Sequence, residues 1–158
     1  MLIKSILLAF PLMAGLCTFA FAADVNLKRV WPVYRTAESF TTIAEYFGRE
    51  AEGGKTPALR TQPDHREGYY WLTRVNTDIA YPGSVIQLQV TRQSSTDPAT
   101  HTFDWDVPSG SNAIFLGLTG SDWTDPLETP IAWRLTLMDA NGDILTSAHS
   151  FLWNESSP

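Results

Sequence analysis

The chain has 158 residues, and its first 22 have the layout of a removable export signal, which leaves about 136 to fold. Lys4 lies in that signal and every Asp and Glu lies outside it. The mature part therefore carries 10 basic against 17 acidic side chains, a surface that repels phosphates and excludes nucleic acid as a partner. With 44% hydrophobic and 18% charged residues the chain is not a disordered one, and a single domain that needs neither disulfides nor a structural metal is expected.

Residues 1–22 start with Lys4, continue as an apolar run from Ile6 to Phe21, and end in the small-x-small tripeptide Ala20-Phe21-Ala22. That order predicts a secretory signal cleaved after Ala22, and hence a periplasmic or extracellular protein. Pro11 and Gly15 interrupt the run and no basic cluster follows it, so no stable membrane span is expected after cleavage. Cys17 is preceded by Leu16, where a lipid-attachment site needs a small residue. The mature chain has no cysteine, which excludes a disulfide scaffold, a thiol nucleophile and cysteine-ligated zinc.

Residues 23–67 read as a lead-in, a helix and a connection packed on the domain formed by 68–158. Asp24–Arg35 holds Pro32 among Val30, Trp31, Val33 and Tyr34, and is expected to be extended. From Thr36 onward Phe40, Ile43, Ala44, Phe47 and Ala51 recur every three or four residues, opposite Glu38, Glu45, Arg49, Glu50 and Glu52. This predicts an amphipathic helix capped by Thr36 and stopped by Gly53-Gly54. Lys55–Glu67 is a polar connection with at most a short edge segment at Ala58–Gln62.

Beyond Gly68 the hydrophobic period becomes two. Strands are predicted at Tyr69–Val75, Ser84–Arg92, His101–Val107, Ala113–Leu118, Ile131–Leu137 and Ile144–Trp153, the last two joined by an Asn141-Gly142 hairpin. The expected fold is mainly β: an antiparallel sandwich of immunoglobulin/fibronectin-like type, six to seven strands, preceded by one amphipathic helix. No helical period follows Glu52, which argues against a parallel α/β architecture.

Candidate sites are sparse. Asp139-Ala140-Asn141-Gly142-Asp143 begins like a calcium loop, but Ile144 and Ser150 stand where glycine and glutamate are needed, so it reads as a hairpin turn. Asp122, Asp125 and Glu128 around Trp123 read as a solvated acidic loop. His65, His101 and His149 lack the i, i+4 spacing of a zinc pair, and Gly110-Ser111-Asn112 lacks the strand-to-helix setting of a nucleophile. Asp104 and Asp106, two apart on one strand face, read as surface acids rather than a glycosidase pair. No catalytic residue, metal or cofactor is expected.

The aromatics Trp31, Tyr34, Tyr69, Tyr70, Trp71, Trp105, Trp123, Trp133 and Trp153 are expected mostly to fill the core. Strand alternation places Tyr70 outside, exposed or against the preceding helix, if Tyr69 and Trp71 are inside. Trp123 sits in a loop. Arg60, Arg66 and Arg74 gather around one connection, either as a cationic patch or bonded to carbonyls and to Asp64 and Glu67. The candidate binding residues are thus Tyr70, Trp123, Asp122, Asp125 and Arg66. The expected function is that of an exported, non-catalytic module of the bacterial envelope that binds another protein or assembly. A carbohydrate-binding module using exposed aromatics on an envelope polysaccharide is the alternative, and a small hydrolase stands third.

Overall fold

The computed structural model describes residues 24–40, 56–95 and 97–153. Within them lie eight strands: β1 Asn26–Arg35, β2 Ala58–Arg60, β3 Gly68–Thr77, β4 Val85–Arg92, β5 Ala99–Asp104, β6 Gly110–Thr119, β7 Pro130–Met138 and β8 Ile144–His149. They form two four-stranded sheets, β1-β3-β6-β2 and β5-β4-β7-β8, antiparallel throughout except that β2 runs parallel to β6. The chain is therefore mainly β, with eight strands in place of the six or seven expected. The lead-in is a full strand paired with β3. Its Pro32 is tolerated because β1 is an edge, where one side of the backbone needs no ladder bond.

Alternation explains both inner faces. In β3, Tyr69, Trp71, Thr73 and Val75 point inward, and Tyr69, Trp71 and Thr73 stand opposite Leu118, Leu116 and Ile114 of β6. In β4, Ile86, Leu88 and Val90 stand opposite Leu137, Leu135 and Trp133 of β7, while Ile86 and Leu88 face Phe103 and His101 of β5 on the other side. The inward rows of both sheets belong to one buried cluster. Each fully buried leucine or isoleucine in it contributes about 1.5–3 kcal/mol.

Three local features shape the first sheet. First, β1 carries a bulge between Lys28 and Val30, with Arg29 in the left-handed region at φ 58°. Second, β2 is clasped to β6 by backbone bonds and by Thr119. The Thr119 hydroxyl accepts from the Gln62 amide (3.1 Å) and donates to the Gln62 carbonyl (2.9 Å), while the Thr119 amide donates to Thr61 Oγ1 (3.1 Å). Third, Gly117 lies under the Tyr70 ring, and a Cβ at that position would come under 3.0 Å from three ring atoms.

Other expectations shift at their edges. Of the predicted helix, the described part is a single 3-10 turn, Ala37–Phe40; residues 41–55 lie outside the described residues. The signal at 1–22 lies outside them too. The strand expected over His101–Val107 ends at Asp104, after which Trp105 bonds Ser84 and Val107 bridges Tyr81. Asp104 and Asp106 therefore do not share a strand face, and Asp106 Oδ1 accepts from the Gly83 amide at 2.7 Å. β8 stops at His149 because a turn over Ser150–Trp153 closes there, well short of the predicted end. The 139–143 segment is a hairpin turn: Gly142 takes φ 86°, and Asp139 Oδ1 accepts from the amides of Asn141 and Asp143. The Asp143 bond leads the causes that hold the Asp139 carboxyl below its ordinary range. Among the described residues no helix is long and apolar enough to cross a membrane.

Candidate functional site on the outer face of the first sheet

The two outer faces differ in kind. On the second sheet Gln87, Gln89, Thr102, Thr136 and Ser147 face outward along the middle, with Val85 and Met138 at one end and Arg134, 5.5 Å from the Trp153 ring, at the other. On the first sheet the outward positions are Trp31 and Val33 of β1, Tyr70, Leu72 and Arg74 of β3, and Ala113 and Phe115 of β6, aligned in register as Trp31–Leu72–Phe115 and Arg74–Ala113. This face is apolar with a cationic border. At one end Tyr70 is fully buried beneath Phe40, ring centroids 4.6 Å apart, with the Arg60 guanidinium 5.0 Å from the Phe40 centroid and the Arg35 guanidinium 4.6 Å from that of Phe115. Tyr70 donates its hydroxyl to the Arg66 carbonyl (2.6 Å) and accepts from Arg60 Nε (2.8 Å), so its buried oxygen is satisfied on both sides. Burial and those basic neighbours act oppositely on Tyr70, and burial prevails, raising its pKa.

At the other end lies an open groove of about 480 Å³. Leu72, Ala113 and Phe115 form its floor, and Lys28, Arg29 and Arg74 stand at its rim. Consecutive residues of a regular strand point to opposite faces, so Lys28 and Arg29 would ordinarily be separated by the sheet. The bulge at Arg29 breaks that alternation, and both line the same groove. Among the described residues, the ion pair is Arg92 with Glu128, elsewhere in the fold, and none of these three cations joins an acid. Arg74 has only a long contact, 3.5 Å, to the Ser111 hydroxyl. Charge is unevenly spread along the chain as well. Residues 24–77, which supply β1 to β3, hold eight Lys and Arg against seven Asp and Glu, whereas residues 78–158 hold two against ten.

The five residues singled out from the sequence fall into two places on opposite sides of the first sheet. Tyr70 and Arg66 meet on its outer side. Trp123 is on the inner side, only 2% exposed, packed on Tyr69 (4.7 Å) and Trp71 (6.2 Å) with the Arg92 guanidinium 4.2 Å above its ring. Its indole donates to the Asp125 carbonyl. Neither Tyr70 nor Trp123 therefore offers a ring to a ligand, and the stacking platform expected of them is absent. Asp122 and Asp125 serve the loop itself: the Asp122 carbonyl accepts from Arg92, and Asp125 Oδ1 accepts from the Leu127 amide at 2.8 Å. Neighbouring Glu128 accepts from the amide and hydroxyl of Ser94. No group of three or more potential metal ligands gathers among the described residues.

Arg74 had a sequence signal, the run of arginines 60, 66 and 74, but Lys28 and Arg29 did not. Two adjacent cations on an edge strand read as one in and one out unless the bulge is known. No protein-family model matches the chain, and no curated protein matches it as a relative.

Proposed function

We propose that the protein is an exported, non-catalytic module of the bacterial envelope that binds another protein or assembly, with the outer face of its first sheet as the contact surface. The observation that carries this reading is the contrast between the two outer faces. One is polar along its middle, while the other presents Trp31, 61% exposed, beside a recessed apolar floor bordered by cations. Apolar surface held open in this way marks contact sites.

The strand order supports an immunoglobulin/fibronectin-type sandwich. β1, β3 and β6 make one layer and β5, β4, β7 and β8 the other, the chain changing layer between β3 and β4 and on either side of β6. β2 is an addition at the β6 edge. Such sandwiches host unrelated functions, so the reading rests on the face and not on the fold. A carbohydrate module needs two or more rings on one open face; Trp31 stands on the first sheet, whereas the other exposed ring among the described residues, Phe151, follows β8 of the second.

A photo-reactive amino acid placed at Trp31, and separately at Thr102 on the second sheet, tests the assignment in living cells. A discrete protein adduct from position 31 and none from 102 is expected. Equal labelling from both positions, or labelling of polysaccharide only, overturns it.

A further inference from the structure

The cations of the groove say what the contact must be made of. An arginine or lysine at a rim with no acid beside it among the described residues leaves its charge to be answered by a ligand, and three of them within one groove select for negative charge. The floor selects for something else. Leu72, Ala113 and Phe115 are only partly covered and lie behind the cations, so a group that protrudes from the ligand reaches them and a flat surface does not. A volume of about 480 Å³ is the scale of one or two large side chains with their backbone.

We infer that the groove bounded by Lys28, Arg29 and Arg74 over Leu72, Ala113 and Phe115 holds an acidic peptide segment of a partner protein, anchored by an aromatic or large aliphatic side chain flanked by carboxylates. This inference rests on the reading of the first sheet's outer face as the contact surface. The bulge is the device that completes the site, because it brings Arg29 round to the side on which Lys28 already stands opposite Arg74. The recessed floor favours a peptide over a lipid bilayer, whose headgroups would meet the cations without filling the groove.

The test uses the exported chain and three probes: a random glutamate–tyrosine copolymer, polyglutamate, and phosphatidylglycerol vesicles. The copolymer is expected to bind about tenfold more tightly than polyglutamate, and to be released as NaCl rises from about 25 to about 300 mM. Lys28→Glu and Arg74→Glu, both at exposed positions, are each expected to weaken copolymer binding about tenfold. Leu72→Gln should remove the preference for the copolymer over polyglutamate. Arg29→Gly keeps the bulge while removing its charge, and weakens binding without unfolding the chain, as melting and far-ultraviolet circular dichroism of each variant will record.

No copolymer binding by the unaltered chain, binding indifferent to the charge reversals, or binding of vesicles in its place overturns the inference. Self-association abolished by the same reversals overturns it too, by assigning the groove to a second copy. If the adduct at position 31 forms while these probes fail, the peptide inference falls and the contact face stands; if both fail, the face falls with it.

Discussion

Thr73 shows what a single buried hydroxyl does to this core. It is fully buried on the inner face of β3, and its Oγ1 has no hydrogen-bond partner among the described residues. An unanswered polar atom in an apolar setting opposes folding, and valine has the same shape without it. Thr73→Val is therefore expected to raise stability by about 1 kcal/mol, read as a higher urea midpoint at unchanged slope. His101 is the titratable counterpart. Its Nε2 is buried without a partner among the described residues, and burial lowers its pKa from 6.5, opposed by Asp122 and assisted by Arg92. The unfolded chain then takes up a proton near pH 6.5 while the folded one resists until a lower pH. The stability linked to His101 is complete above that value and drains away as pH falls through the folded pKa. Urea midpoints measured across this window should drop more steeply for the natural chain than for His101→Asn.

Among the elements, β2 shows how little strand is needed when side chains close the contact. Three residues in parallel pairing make few ladder bonds, and Thr119, fully buried, adds two through its hydroxyl. Thr119→Val strips both and leaves the Gln62 amide and carbonyl to find water, at a cost of about 2 kcal/mol. Hydrogen exchange should quicken in residues 58–62 first, and uniform loss of protection across both sheets would contradict a local clasp. The elements also mark the limit of what the sequence tells. Period-two alternation located β3, β4, β6 and β7 to within a few residues, because each has one face in the core. It missed β1 as a strand, since its proline and lack of clean alternation hide an edge strand whose pairing is supplied by β3. It overran β5 and β8, whose ends are set by the partners of Trp105 and Ser150 and not by any residue of their own.

In the whole molecule, one core couples the two sheets. Leu88 of β4 and Leu116 of β6 lie on opposite layers, both fully buried in the same cluster. Leu88→Ala and Leu116→Ala are each expected to cost about 2–5 kcal/mol. Both should lower one shared melting transition; two separable transitions would mean that the layers fold independently. The candidate site was less legible than this core. Arginines 60, 66 and 74 point to the border of the first sheet, whereas Trp123 and Tyr70, rings in polar or alternating surroundings, are interior. Aromatic residues near turns are ambiguous in sequence because a loop that folds back over a sheet edge, as residues 120–123 do, carries its ring inward. The groove was not readable at all, since it depends on one left-handed residue in β1.

Among the described residues, 24–77 hold six Lys and Arg against four Asp and Glu and 78–153 hold two against nine, so the side built from β1 to β3 is the more positive one. Far from any partner, an acidic surface would first rotate the protein and only later attract it, so that the Trp31 face arrives foremost. Encounter with such a surface becomes a matter of orientation achieved in advance, and a molecule negative overall can approach a negative target by leading with its minority charge.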